Sequence, residues 1–288
     1  MDLCNIIVIR ALLERHGFKF SKALGQNFLI ASWVPEQIAR ECLADEDSGV
    51  LEIGPGVGCL TKELSAVSGK VCAVELDKRL PDVLAESLYD CDNVEIICGD
   101  ILKLDISDLV SSRFSGLTPR VCANLPYNIT TPVLSKLIDS GCFESITVMI
   151  QREVAQRICA LPGTPEYGAF SVYVNYYTEP EILFDVPPDC FMPRPKVTSS
   201  VIRMVKRTSP PAEVSDEKLF FRVVKAAFSQ RRKTLLNALS SSFSNIKKED
   251  LGKIIEECGF DIRIRGEVLS IEEFAALTEK IRSMTNEA

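Results

Sequence analysis

From residue 50 onward, the hydrophobic positions of the chain alternate between two periods. Short apolar runs at 50–53, 71–75, 94–97, 121–123 and 146–150 read as strands. Segments at 60–67, up to 88, at 132–140 and at 153–160 carry apolar residues three and four apart and read as helices. Strands that are apolar almost throughout are buried on both faces, and the intervening helices cover them, which predicts an α/β fold with a parallel sheet. Ahead of this array, residues 1–20 predict a helix with Leu3, Ile6, Ile7 and Leu13 on its apolar side, and a second helix starts near Val34 with Pro35 in its first turn. Two longer alternating runs, 170–178 and 199–205, predict antiparallel strands added to one sheet edge. The proline-rich stretch 186–196 between them has to be a loop, because proline cannot donate to a central ladder. Past a Ser-Pro-Pro linker at 209–211 the period is helical to the end, at 215–229, 231–243, 247–258 and 271–283. The chain therefore divides into a sheet domain, 1–207, and a small all-helical domain, 208–288.

Composition narrows the chemistry. With 46% hydrophobic residues and 25% charged, the 288-residue chain can bury large cores. No apolar run reaches the length of a membrane span, and the short apolar N-terminus, flanked by Asp2, Arg10 and Glu14, reads as a helix rather than a signal peptide. Eleven cysteines without a single Cys-x-x-Cys pair fit small buried hydrophobes in a reducing cytosol, so a cytoplasmic protein is expected. His16 is the sole histidine, which leaves neither a mixed-ligand metal site nor histidine acid–base catalysis, and no metal is expected. The net charge of −7 is unevenly spread. Residues 190–233 hold eleven Lys/Arg against three acids, a local +8 that leaves −15 for the remainder. A basic region on an acidic body is the distribution of a protein that docks on phosphate with one face.

Ligands of an open α/β sheet bind beyond the carboxyl ends of its strands. Four successive strand ends here carry Gly54-Pro55-Gly56, Glu75, Asp100 and Asn124. Glu75 follows Gly54 by twenty-one residues, the offset at which an acid meets ribose hydroxyls, and Asp100 is placed for a base edge. The glycine spacing departs from the dinucleotide pattern, since Cys59 stands where a third glycine belongs and the glycine is at 58; no Lys-Ser pair follows to make a P-loop. A NAD-dependent dehydrogenase would share Glu75 but not this spacing. Ribose and adenine without pyrophosphate point to S-adenosylmethionine. Asn124-Leu125-Pro126-Tyr127 then offers an amide oxygen, the Pro126 carbonyl and a flat ring, a receptor for a planar group with an exocyclic amine.

Several stretches together resemble the ribosomal RNA adenine N6,N6-dimethyltransferases: Lys22-Ala23-Leu24-Gly25-Gln26-Asn27-Phe28-Leu29, Glu52-Ile53-Gly54-Pro55-Gly56-Val57-Gly58, Glu75-Leu76-Asp77, Gly99-Asp100-Ile101 and Asn124-Leu125-Pro126-Tyr127. The resemblance covers nearly the whole chain. Three more stretches are similar to the bacterial small-subunit branch: Asn128-Ile129-Thr130-Thr131-Pro132, Phe191-Met192-Pro193-Arg194-Pro195-Lys196-Val197-Thr198-Ser199 and Phe228-Ser229-Gln230-Arg231-Arg232-Lys233-Thr234-Leu235. The sister branch, which methylates 23S rRNA and confers macrolide resistance, usually has isoleucine where Leu125 stands and lacks the basic stretch.

The resemblance implies a Rossmann-like class I methyltransferase sheet, with S-adenosylmethionine touching Asn27, Leu29, Gly54, Glu75, Asp100 and Asn124. It implies dimethylation of two adjacent adenosines near the 3′ end of 16S rRNA in the assembling 30S subunit, a step in small-subunit biogenesis. On this reading the adenine N6–H₂ group donates to the Asn124 side chain and the Pro126 carbonyl, and the flipped base stacks between Tyr127 and Phe191. Tyr127→Ala and Phe191→Ala are then expected to fold normally and methylate poorly. Lys22, Arg194, Arg231, Arg232 and Lys233 are expected on the RNA backbone, the last three opening a helix. Nothing in the sequence demands more than a monomer.

Overall fold

The computed structural model describes residues 1–18, 26–230 and 232–286. It forms two compact units, one of 1–155 with 180–206, the other of 156–179 with 207–288.

The first unit opens with α1 (Ile6–Arg15), whose first turn is closed by the Asn5 side chain accepting from the Ile7 N–H. A two-residue strand β1 (Phe28–Leu29) and α2 (Trp33–Glu41) follow. The repeat then runs β2 (Ser48–Ile53), α3 (Cys59–Val67), β3 (Lys70–Glu75), α4 (Pro81–Ser87), β4 (Val94–Cys98), α5 (Ile106–Arg113), β5 (Thr118–Asn124), α6 (Thr130–Ser140), β6 (Ser145–Gln151) and α7 (Arg152–Ile158). Helix α5 left little trace in the sequence pattern, since only Ile106 and Leu109 are buried; its signal is Asp105, which caps the Asp108 N–H.

Among the described residues seven strands form one sheet in the order β4-β3-β2-β5-β6-β9-β7, where β7 is Thr178–Val186 and β9 is Ser199–Lys206. The five strands from β4 to β6 are parallel, and β9 runs antiparallel to β6. The order places β5 beside β2 on the side away from β3, so the chain reverses its direction of travel between β2 and β5. That is the topological switch point, where the connections diverge and leave a crevice. Leu51 pairs with Val121 in parallel register, so Gly54 and Asn124 leave the sheet at the same level. The proline-rich stretch is a loop, as expected, with one short strand β8 (Phe191–Met192) that pairs Leu29 with Phe191.

Three expectations change. The run 170–178 is no strand: Ala169–Tyr177 is a helix, α8. Its apolar residues alternate, but its polar ones are spaced four apart. Ser171 Oγ accepts from the Gly168 N–H and donates to the Arg157 carbonyl, and Asn175 donates to the carbonyls of Ile158 and Ser171. Tyr173, Tyr176 and Tyr177 pack on Phe220 and Phe221, so tertiary aromatic contacts override strand propensity. The second edge strand is β7 instead. Because of α8, residues 156–179 cluster with the helical unit, whereas the sequence pattern assigned them to 1–207. The helical unit continues with α9 (Glu217–Phe228), α10 (Leu235–Ser242), α11 (Lys248–Glu257) and α12 (Ile271–Asn286) around Phe220, Leu239, Phe243, Leu251 and Phe274. Finally, α10 starts at Leu235 behind the Thr234 cap, so Arg232 and Lys233 precede the helix rather than open it.

Candidate active site

A cavity of about 260 Å³ occupies the switch point, walled by the loops after β2, β3, β4 and β5 and by residues around β1. Asn27, Leu29, Gly54, Glu75, Asp100 and Asn124, drawn from five separate stretches, all line it, and so do Pro126 and Tyr127. The glycine loop makes the room. Gly54 holds φ +71°, and a methyl group there would meet nothing nearer than Pro126 Cδ at 4.0 Å, so the backbone faces open cavity.

The polar groups are held from behind. Asn124 Nδ2 donates to the Asn27 carbonyl at 3.5 Å, which leaves Oδ1 as the acceptor. Asp100 Oδ1 accepts from the Leu102 N–H at 3.0 Å. Glu75 is buried and accepts the Asp77 N–H at 2.7 Å; burial raises its pKa. Tyr127 donates or accepts across 2.7 Å with Ser199 Oγ, which fixes the ring from its hydroxyl end.

Two catalytic expectations are altered. The Pro126 carbonyl is already engaged, accepting from the Ile129 N–H at 3.2 Å and the Thr130 hydroxyl at 3.3 Å. Both lone pairs are used by the turn that follows, so this oxygen is a poor receptor for an incoming amine. Leu125 differs: its N–H donates to the Met149 carbonyl, and among the described residues no donor reaches its carbonyl. Phe191 is 3% exposed, packs in the core and is not on the cavity wall. It pairs with the cavity residue Leu29 and so stands behind the wall.

The family model described as "Ribosomal RNA adenine dimethylase" matches residues 17–279. The chain belongs to this family. Ribosomal RNA small subunit methyltransferase A of Geobacillus sp. (strain WCH70) is 45% identical over 277 residues, 95% of each chain. The protein of the same name from Bacillus mycoides (strain KBAB4) is 46% identical over 274 residues, 94% of each. Two solved structures show the same fold at lower identity. A dimethyladenosine transferase from Plasmodium falciparum is 23% identical with a TM-score of 0.75, covering 89% of this chain and 98% of that one. A 23S rRNA methyltransferase, ErmE, is 24% identical with a TM-score of 0.69, covering 88% and 99%.

As a member of the ribosomal RNA adenine dimethylase family, this chain uses S-adenosylmethionine, and the cavity fits that molecule in ways the motifs did not reveal. Glu52 lies on the cavity wall, is 1% exposed and has a carboxylate oxygen, Oε2, with no hydrogen-bond partner among the described residues. Burial pushes its pKa up to about 8, and the charge of Glu75 adds to the effect; the Thr61 hydroxyl faces it without completing a bond. A buried carboxyl with an unused oxygen is suited to a cation, and the cofactor carries an ammonium. An acid inside a strand buried on both faces was the sequence signal. Asp77 is the second omission. It is buried, bridges to Arg79 through two contacts of 2.8 and 2.6 Å and accepts from Gln26 Nε2 at 2.8 Å. Arg79 also lies over the Phe18 ring at 4.7 Å. Asp77 thus ties Gln26, next to cavity residue Asn27, to the loop after β3. The Arg79 guanidinium holds its carboxyl down at about 2.

Three of the expected RNA-binding residues are described, and none of them is among the residues that line the cavity. Arg194 is exposed and ion-paired with exposed Asp189 at 3.0 Å. Arg232 and Lys233 are exposed. Lys22 and Arg231 lie outside the described residues. Among the described residues no group of three or more His, Cys, Asp or Glu is arranged for a metal ion, and no helix is long and apolar enough to cross a membrane.

Proposed function

We propose that this chain dimethylates N6 of two adjacent adenosines near the 3′ end of 16S rRNA, acting on the small subunit as it assembles. The observation that carries the reading is the position of Asn124. It closes the cofactor cavity through Asn27 and still presents Oδ1 at the head of the Asn-Leu-Pro-Tyr turn. The relatives at 45–46% identity carry the small-subunit name over almost their whole length, whereas the 23S enzyme at 24% supports the fold alone.

When bound, S-adenosylmethionine supplies a methyl group on a sulfonium, already furnished with a good leaving group. Glu52 takes the ammonium end, Glu75 the ribose hydroxyls and Asp100 the adenine edge. The protein's remaining task concerns the acceptor, whose N6 lone pair is delocalised into the ring. Asn124 Oδ1 and the Leu125 carbonyl accept the two N6–H bonds, which favours a pyramidal nitrogen with a localised lone pair. The work is positioning and electrostatics, with no strong base required. Tyr127, anchored by Ser199, is the stacking face for the flipped base, and Phe191 stiffens the Leu29 wall from behind. Arg194, Arg232 and Lys233, with Lys22 and Arg231, contact RNA phosphates; the exposed Arg194–Asp189 pair is weak enough to be exchanged for one. Eleven free thiols suit a reducing cytoplasm, where the protein works as a monomer.

The test is methyl transfer from labelled S-adenosylmethionine to undermethylated 30S and 50S particles, followed by nucleoside analysis. Dimethyladenosine in 30S alone is the expected result. Label in 50S, or in neither, refutes the assignment.

A further inference from the structure

Helix α9 is amphipathic in an unusual way. One side buries Phe220, Val223, Val224 and Ala227. The other exposes Lys218, Arg222 and Lys225, spaced i, i+4 and i+7, so the three charges line up along roughly 10 Å of helix axis. Together with half-buried Phe221 and with Ser242 at the end of α10 they line a shallow hollow. Arg222 is fixed there. Its guanidinium lies over the buried Phe243 ring at 4.4 Å, and Nη2 donates to the Ser242 carbonyl at 3.1 Å. Among the described residues no carboxylate lies within ion-pair distance of any of the three. The two acids at the start of the helix are engaged elsewhere: Asp216 caps the Leu219 N–H, and Glu217 accepts the Tyr177 hydroxyl. On a chain of net charge −7, these three cations thus share one helix face without a counter-charge.

We propose that this face of α9 is a second RNA-backbone site, separate from the basic stretch before α10, and that Arg222 is its fixed anchor. The inference rests on the assignment of ribosomal RNA as substrate. Guanidinium held against a ring retains N–H donors directed outward, which suits a phosphate, and Lys218 and Lys225 flank it one helical turn away on either side.

Binding of a protein-free transcript of the small-subunit rRNA 3′ region, measured against salt, tests this. The variants are Lys218→Gln/Arg222→Gln/Lys225→Gln and, sparing the structural contacts of Arg222, Lys218→Gln/Lys225→Gln. Each phosphate contact adds about 0.7–0.9 to the slope of log affinity against log salt. Over a fourfold rise in salt, wild type should lose roughly 20- to 40-fold more affinity than the triple variant and roughly tenfold more than the double variant. S-adenosylmethionine binding and melting temperature of the double variant should match wild type. Unchanged salt slopes in both variants overturn the proposal. So does a double variant that binds the transcript normally but assembling particles weakly, since the face would then take a ribosomal protein. Failure of wild type itself to bind any rRNA would instead refute the substrate assignment.

Discussion

Replacing Glu52 by glutamine keeps the shape of the side chain and removes its proton and its charge. In the free protein the Glu52 carboxyl titrates at about 8 instead of 4.5, because ionising it would place a charge out of reach of water beside Glu75. The folded state therefore holds a proton that the unfolded chain gives up above pH 4.5. Stability linked to this group is fully present below 4.5 and is lost as pH rises through about 8. At about 1.4 kcal/mol per pKa unit, the span from pH 6 to pH 8 costs about 2 kcal/mol, which is roughly 4–8 °C in the melting temperature of a unit this size. Glu52→Gln should flatten that slope by the same amount, leaving the contribution of Glu75 and other groups in place.

The cofactor should reverse the sign. With an ammonium at Oε2 the carboxyl ionises, so binding at pH 7 releases about one proton, seen as a calorimetric enthalpy that changes with the ionisation enthalpy of the buffer. The variant has no proton to release. It also loses a charge-assisted bond of about 1.5–3 kcal/mol, a roughly ten- to hundredfold weaker affinity. If Glu52→Gln binds S-adenosylmethionine like wild type and shows the same buffer dependence, the ammonium does not sit at Glu52. If its melting curve keeps the wild-type pH slope, the proton is held elsewhere.

Phe191→Ala should destabilise the first unit by about 3–5 kcal/mol, since the ring is in the core, whereas Tyr127→Ala should melt near the wild-type temperature and lose turnover. Thermal denaturation beside methyl transfer separates the two; a Phe191→Ala protein that melts normally would restore it as an exposed platform. Asp77→Asn should raise the KM for S-adenosylmethionine with little change in kcat, because it loosens the tie to Gln26 without touching the acceptor. The carboxyl of Asp77 is held down at about 2, so its contribution is present above 3.8 and lost as pH falls toward 2; acid melting of wild type and variant should converge there. Equal KM values would show that Arg79 and Phe18 hold the loop unaided.

The parallel array was legible because its central strands are largely buried and all read as short, almost unbroken apolar runs. The cavity was legible for a related reason: a strand end is a fixed address, so Gly54, Glu75, Asp100 and Asn124 could be placed beside one another before any contact was known. Residues 170–178 failed because the deciding forces lie outside the segment. A Phe-Ser-Val-Tyr-Val-Asn-Tyr run satisfies both periods, and the rings of Phe220 and Phe221, some fifty residues later, select the helix. Phe191 failed likewise. An aromatic in a proline-rich loop looks exposed until the pairing of Phe191 with Leu29 draws it inward.

The acceptor oxygen shows how fine the remaining ambiguity was. Leu125 and Pro126 are neighbours, and the sequence motif offers the carbonyl of the second to the amine. What decides between them is a hydrogen-bond ledger that only the folded turn contains. The short helix Tyr127–Ile129 closes onto the Pro126 carbonyl through the Ile129 N–H, and Thr130 adds its hydroxyl, so this oxygen stabilises the turn. The Leu125 N–H donates to the Met149 carbonyl at the end of the β5–β6 ladder, and among the described residues no donor reaches the Leu125 carbonyl, which belongs to the next peptide. Proline at 126 still matters, as the extended residue, φ −57° and ψ 131°, from which the short helix Tyr127–Ile129 starts. On the mechanism proposed above, the tetrapeptide would divide its labour: Asn124 and Leu125 would face the amine, the Pro126 carbonyl holds the turn, and Tyr127, bonded to Ser199, would meet the base.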